Sequence, residues 1–379
     1  MYQYQKSNRY FAQVSTGLEE LVKDELTELG ATEIQEAFRG VYFSADPKTL
    51  YTVNYNARLL SRVLAPVISF KCHSTKYLYK TAYEFPWEDF IKLNETFAIN
   101  AHTSNSSISH SKYASLKLKD AIADYFRGIH GERPDVDTTN PDVWINLHIE
   151  NNNATISIDT SGGSLHKRGY RMNSVEAPMQ ETLAAAIIRL SDWKGEVPML
   201  DPMCGSGTIV AEAHMALNKI PSGYLRRHFG FEKLPDFSKE IWKDVRSFYD
   251  GKLLNLSKKK ILAGDKDAQA VSNTKINLGL LPYGESIPVM KRDYKTYKPE
   301  TSIAMIVNPP YGIRLGKDED LSGFYKDLGD YMKQNLTEST AYIYFGERKY
   351  LKNIGLRPTW KKPLSNGGLD GRLAKFELY

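Results

Sequence analysis

Apolar and polar positions change rhythm about halfway along the chain. Near the start, "RYFAQVS" alternates and is rich in aromatics, which predicts a strand. Leu18, Leu21, Val22, Leu26 and Leu29 then recur at helical spacing, and Gly30 is placed to cap that helix. "EIQEAFRGVYFSAD" predicts one or two more strands, which closes a small α+β unit. A second α+β unit runs to about residue 165. In it, "SKYASLKLKDAIADYFRGIHG" reads as an amphipathic helix. Val143, Ile145, Leu147 and Ile149 alternate, Asn151 to Asn153 turn, and Ile156 and Ile158 alternate again, the pattern of a hairpin.

From about residue 175 apolar runs replace alternation. "APMQETLAAAIIRLSDW" is a helix, and "VPMLDPMCGSGTIVAEAHMALN" is a buried strand, a glycine-rich loop and a helix. "KKILAGDKDAQAVSNTKINLGLL" repeats strand, acidic loop and helix, and "PVMKRDYKTY" is a strand ending in a polar loop. "SIAMIVNPPYG" is another strand, before the helix "LSGFYKDLGDYMKQNL"; "TAYIYFG" and "RLAKFELY" close the series. Strands alternating with helices predict an α/β domain whose parallel sheet is covered on both faces. Ligands in such sheets bind beyond the carboxyl ends of the strands, where these loops fall.

Composition narrows the function classes. A chain of 379 residues is long enough for two or three domains, and 41% hydrophobic with 25% charged residues is an ordinary globular balance. No window approaches ~18 apolar residues, so neither a membrane partner nor a spanning helix is expected; the start "MYQYQKSNRY" lacks a signal core, and a cytoplasmic enzyme is expected. Two cysteines, Cys72 and Cys204, make neither a disulfide framework nor a zinc site, and the eight histidines show no metal spacing, so no metal is expected. Residues 1–175 carry 19 Lys+Arg against 20 Asp+Glu, and the remainder 50 − 19 = 31 against 45 − 20 = 25. The mild basic excess in the C-terminal half only weakly favours a nucleic-acid partner.

The loops carry the chemistry. In "LDPMCGSGT", Gly205 and Gly207 let backbone approach a ligand at a helix N-terminus, but the sequence matches neither a dinucleotide fingerprint nor a P-loop. Asp201 at the strand tip repels a pyrophosphate and attracts a cation, and S-adenosylmethionine, with its ammonium and sulfonium, fits. Asp265 and Asp267 end the next strand, where a carboxylate can accept both ribose hydroxyls; Asp293 in the third loop could accept from an adenine amine. In "NPPYG", Asn308 and the Pro309 carbonyl can each accept one hydrogen of an exocyclic amine, Pro310 stiffens the turn, and Tyr311 offers a stacking face.

"DPMCGSGT" followed by "NPPYG" resembles the class I, Rossmann-like, S-adenosylmethionine-dependent amino-methyltransferases of nucleobases. "HKRGYRMNSVEAPMQETLAAAIIRL", "NPPYGIRLG" and "LSNGGLDGRLAKFELY" narrow the resemblance to bacterial 23S rRNA guanine-N2-methyltransferases with an N-terminal THUMP domain, proteins often labelled N6-adenine-specific DNA methylases. The resemblance implies a ferredoxin-like unit at 1–45, a THUMP RNA-binding domain at 46–160 and a methyltransferase domain at 161–379. It implies cofactor contacts at Asp201, Pro202, Cys204, Gly205, Gly207, Thr208, Asp265, Asp267 and Asp293, with Pro178 and Glu181 enclosing the methionine end. Asn308, Pro309, Pro310 and Tyr311 are the implied target-amine residues. "GDKD" departs from the family by placing Lys266 between the acids, which leaves the ribose ligand open; Asp265 is favoured. Lys167, Arg168, Tyr170 and Arg171 in "LHKRGYR" are candidates for RNA contact, level with an ordered linker. The aromatic insertion "PSGYLRRHFGFEKLPDFSKEIWKDVRSFYDG" is expected to serve core or domain packing. The expected function is methyl transfer to guanine N2 in RNA, 23S rRNA ahead of tRNA. A DNA adenine-N6 methyltransferase and a THUMP-type RNA-binding factor without turnover are the alternatives.

Overall fold

The computed structural model describes residues 1–172, 179–310, 321–366 and 369–379. Two units emerge, one built from residues 1–14, 22–165 and 226–246, the other from 15–21, 166–225 and 247–379.

The N-terminal unit is organised on one eight-stranded sheet. Its elements are α1 (Gln3–Ser7), β1 (Arg9–Val14), α2 (Glu19–Glu28), β2 (Thr32–Ala37), β3 (Gly40–Ser44), α3 (Pro47–Asn56), β4 (Leu60–Lys71), α4 (Thr75–Tyr83), β5 (Thr96–Ser104), α5 (Ser111–His130), β6 (Asp135–Val136), β7 (Val143–Glu150) and β8 (Asn153–Asp159). The strand order is β2-β3-β1-β4-β8-β7-β5-β6. The β1–β4 ladder joins the first α+β unit to the second, and β4 in turn pairs with β8. Register shifts between Pro66 and Ile68, because proline cannot donate to a ladder and a bulge accommodates it. Alternation decides the faces: Val143, Ile145, Leu147 and Ile149 are buried, whereas Trp144, Asn146 and His148 on the other face keep contact with solvent.

The segment 226–246 lies in this unit although its neighbours in sequence do not. Tyr51 stacks on Phe231 at 4.4 Å, Phe231 lies 5.2 Å from Trp242, and Trp242 meets Tyr55 edge-on at 5.2 Å. Gly230 admits the approach, since a Cβ there would stand 1.8 Å from the Asp159 carbonyl oxygen. Phe229 and Phe231 are therefore core, with Trp242 half-buried against them, whereas Phe248 further along the insertion is 56% exposed.

The second unit holds α6 (Glu181–Ser191), β9 (Met199–Asp201), α7 (Thr208–Leu217), the end of α8 (Lys239–Asp250), β10 (Ile261–Asp265), α9 (Ala268–Gly279), β11 (Val289–Lys291), β12 (Ala304–Val307), α10 (Ser322–Asn335), β13 (Thr340–Phe345), β14 (Trp360–Asn366) and β15 (Leu369–Glu377). Its sheet runs β11-β10-β9-β12-β13-β15-β14. The first five strands are parallel, and β15 pairs antiparallel with both neighbours. This is the Rossmann-like methyltransferase fold. The order reverses between β9 and β12, so their carboxyl ends flank the switch point at which open α/β sheets bind ligands. Asp201 ends β9 and Asn308 follows β12 directly. The strand β14 is an addition to the sequence-based expectation.

Candidate active site

Two glycines shape the loop after β9. Gly205 and Gly207 have φ of +55° and +81°, and Gly207 caps α7 in left-handed conformation. A Cβ at Gly207 would lie 2.8 Å from Thr274 Cγ2, while one at Gly205 would meet nothing within 4 Å. The loop is held from below. Cys204 N–H donates to the Gly264 carbonyl at 2.9 Å, and Gly205 N–H to Asp265 Oδ2 at 3.0 Å. From α9, Thr274 donates to the Gly205 carbonyl at 2.8 Å and Asn277 to that of Ser206 at 2.9 Å. Sequence reading missed Thr274 and Asn277. The signal was there: they are polar positions within the inward stripe Ala270, Val271, Thr274, Asn277 and Leu278.

A cleft opens above this loop, lined by Met179, Asp201, Met203, Cys204, Gly205, Ser206, Thr208, Ile209 and Asn308. The structure thus brings the first loop and the tetrapeptide strand tip together. Asn308 is 9% exposed, and its Oδ1 is buried without a hydrogen-bond partner among the described residues. A buried acceptor left open is costly unless a ligand completes it. Pro309 is buried beside it, and the Pro310 carbonyl accepts from the Tyr325 hydroxyl at 3.4 Å, which fixes the turn. Pro178 and Tyr311 lie outside the described residues.

The carboxylates divide by role. Asp201 is 2% exposed and accepts from Met203 N–H at 3.2 Å; burial, opposed by that bond and reinforced by Asp265, raises its pKa to about 8. A carboxyl raised in this way costs stability once ionised, so the ligand-free protein loses stability as pH climbs from the ordinary carboxylate range to about 8. A cation binding beside it must displace the proton. Affinity for S-adenosylmethionine is therefore expected to rise as pH increases from about 6 to 7.5, by up to about tenfold per unit. Calorimetry across that range checks this; Asp201→Asn should flatten the slope, and an equally steep slope in that variant would refute it.

Asp265 accepts from Gly205 N–H and from Asp267 N–H, both at 3.0 Å, and stays partly exposed. Asp267 instead caps α9, accepting from Gln269 N–H at 3.0 Å and Ala270 N–H at 3.3 Å. Asp267→Ala is expected to cost about 1 kcal/mol of stability with little change in cofactor affinity, and Asp265→Ala the reverse, readable by melting and calorimetry on the same pair. Asp293 is exposed and caps the short turn Tyr294–Thr296 through Lys295 N–H at 2.9 Å. Cys204 is buried with its thiol 3.5 Å from the Thr274 hydroxyl, burial pushing its pKa up, so a nucleophilic thiolate is disfavoured. Pro202 is buried in the turn between Asp201 and Cys204.

The segment "LHKRGYR" requires a correction. Lys167 is exposed, but Arg168 and Tyr170 are 1% and 0% exposed and both reach Glu212 Oε1 on α7 at 3.2 Å. Burial removes those two from a surface that could touch RNA. Arg171 turns toward the cleft lining: its Nη2 donates to the Met179 carbonyl at 2.8 Å and Thr208 Oγ1 at 2.9 Å, and lies 3.3 Å from Glu181 Oε1. Glu181 is buried, which raises its pKa, and its Oε2 has no partner among the described residues. Among those residues no cluster of three His, Cys, Asp or Glu is placed to hold a metal, and no helix is long and apolar enough to cross a membrane.

Comparison with known proteins agrees with this architecture. Residues 168–375 match the family described as RMKL-like, methyltransferase domain; residues 72–159 match the THUMP domain and 9–64 the RlmL ferredoxin-like domain. A Synechocystis protein named as a candidate RNA methyltransferase is 36% identical over 98% of this chain and 97% of its own length. The Ribosomal RNA large subunit methyltransferase K/L of Syntrophotalea carbinolica is 34% identical over 98% of this chain and 53% of its own length. The chain thus spans about half of that relative. A candidate methyltransferase crystallised with S-adenosylhomocysteine superposes with a TM-score of 0.84 at 27% identity, covering 98% of each chain. With more than half its length matched by the methyltransferase profile and the two smaller domains in front of it, the chain belongs to the THUMP-containing RMKL-like methyltransferase family.

Proposed function

We propose that this protein transfers a methyl group to the exocyclic N2 amine of a guanine in RNA, with 23S ribosomal RNA as the substrate. S-adenosylmethionine is the cofactor, and it supplies an electrophilic methyl carbon on a sulfonium. The residues present fit it: a buried carboxyl at Asp201, open space over Gly205, and backbone passing close at a helix N-terminus. Asp265 is the ribose acceptor, since Asp267 is committed to its helix cap. Glu181 and Arg171 close the amino-acid end.

The observation that carries the reading is the open, buried Asn308 Oδ1 just past the end of β12, the strand that pairs with β9 and its Asp201. An exocyclic amine is a poor nucleophile because its lone pair is delocalised into the base. Asn308 Oδ1 and the Pro309 carbonyl each accept one amine hydrogen, which draws the nitrogen toward a pyramidal shape and aims its lone pair outward. Proline has no N–H to compete and keeps its carbonyl in one direction. The proton leaves after transfer, so no strong base is required of the chain. The K/L relatives and the Synechocystis protein support RNA over DNA as the acceptor class.

Nucleoside mass spectrometry of 23S rRNA, tRNA and DNA from cells with and without the gene tests the reading. One N2-methylguanosine is expected to vanish from 23S rRNA and to return with the wild-type gene. A change confined to N6-methyladenine in DNA would overturn it.

A further inference from the structure

Methyl transfer to an amine leaves a proton to be placed, and the groups that hold the amine cannot keep it. The Asn308 amide oxygen and the Pro309 carbonyl accept hydrogen bonds, but both are far too weakly basic to carry a proton away. Among the described residues that line the cleft around Asn308, Asp201 is the one carboxyl. Register sets the two side chains close. Leu200 on β9 pairs with Met305 on β12, so Asp201 stands level with Ile306, and Asn308 follows two residues further along. With strands ~4.8 Å apart and a rise of ~3.3 Å per residue, the two Cα atoms lie about 8 Å apart. An amine nitrogen held at Asn308 is then within reach of the carboxyl.

The surroundings decide when that carboxyl is charged. Burial raises the Asp201 pKa to about 8, opposed by the Met203 N–H and reinforced by Asp265 on β10. On the loop itself Cys204 is a buried thiol. From the segment after β11, Tyr297 presents a buried ring with the Arg292 guanidinium 4.5 Å over it. Toward α6, Thr208 accepts from Arg171, which lies 3.3 Å from Glu181. Those two close the amino-acid end of the cofactor, which leaves Asp201 to the sulfonium end, beside the amine.

In the empty site the carboxyl is neutral at pH 7, and it ionises once a positive sulfur lies beside it. Transfer moves the positive charge from sulfur to nitrogen. The nitrogen lone pair forms the new N–C bond, and the electron pair of the broken C–S bond stays on sulfur. With sulfur neutral, the basicity of Asp201 returns just as the methylated amine sheds a proton. The N–H electron pair remains on nitrogen and restores its delocalisation into the base.

We propose that Asp201 takes up the proton released by the target amine after methyl transfer, and yields it to solvent when the next S-adenosylmethionine binds. The proposal rests on an exocyclic amine being the acceptor, as in the function proposed above.

Isothermal titration calorimetry at pH 7, in buffers of low and high ionisation enthalpy, counts the protons released on binding. S-adenosylmethionine is expected to release about 0.9 proton per site, the fraction that a group with this pKa still carries. S-adenosylhomocysteine, whose sulfur is neutral, should release close to none, and Asp201→Asn should release none with either. Equal release with both ligands would put Asp201 at the ammonium and overturn the proposal, as would undiminished release in the variant. The wild-type comparison decides the matter even where Asp201→Asn fails to fold. In a single turnover on a 23S rRNA transcript with a pH-indicator dye, the wild type is expected to methylate without releasing a proton in phase, and Asp201→Asn to release one with the methyl. A proton in phase with transfer in the wild type overturns the proposal too. Absence of methylation on RNA, with the calorimetric difference intact, defeats the RNA reading alone, whereas RNA methylated at guanine N2 with equal proton release defeats the Asp201 role alone.

Discussion

Asn308→Ala is expected to lower kcat by about 10²–10³-fold while leaving S-adenosylhomocysteine affinity within about twofold. The asymmetry follows from where the side chain sits. Asn308 lines the cleft with the Gly205 loop, but the loop's own shape is held by Asp265, Thr274 and Asn277. Removing the amide therefore leaves the loop intact. What is lost is an acceptor that strengthens as the amine gives up its delocalisation, an interaction made mainly in the transition state. Single-turnover kinetics with saturating cofactor separates this from weaker RNA binding. Equal losses in kcat and cofactor affinity would contradict the assigned role.

Glu212→Ala is expected to lower the melting transition of the C-terminal unit by roughly 6–20 °C, corresponding to about 3–5 kcal/mol. Its carboxylate faces the Arg168 guanidinium and the Tyr170 hydroxyl where neither side chain meets solvent. Deleting it leaves a cation in the interior without that partner, and the desolvation already incurred is no longer offset. Replacing both members, Arg168→Met with Glu212→Leu, should recover most of the loss, because apolar groups of similar volume carry no desolvation cost. Calorimetric scans of the two variants decide it; a single variant that melts like the wild type would show the pair to be energetically idle.

The parallel core was readable because β9, β10 and β12 are apolar runs, each ended by its own loop chemistry. The strand β14 was not. Lys361, Lys362 and Pro363 suppress any strand pattern, yet each pairs with β15, and Pro363 is tolerated because β14 is the sheet edge. Similarly, Pro66 hides the long β4, whose bulge can be understood only from its partner β8. Periodicity also cannot say which core a segment joins, and the rings of residues 226–246 pack around Tyr51 and Tyr55, far away in sequence.

The site shows the same division. Strand-tip residues Asp201, Asp265 and Asn308 were legible from position alone, since sheet topology determines where tips converge. In "GDKD" the sequence favours Asp265 without separating the two acids, and only the structure shows that Asp267 caps a helix. Arg168 and Tyr170 look solvent-facing within "LHKRGYR", because a buried charge is recognisable only with its partner, and Glu212 lies 44 residues further on.

A crystal structure of the full chain with S-adenosylhomocysteine tests the central claim most directly. The account predicts the thioether sulfur in the cleft between the Gly205 loop and Asn308, with the amide oxygen open toward the space beside it. A thioether lodged elsewhere, or an Asn308 oxygen bonded to another protein group, would contradict it.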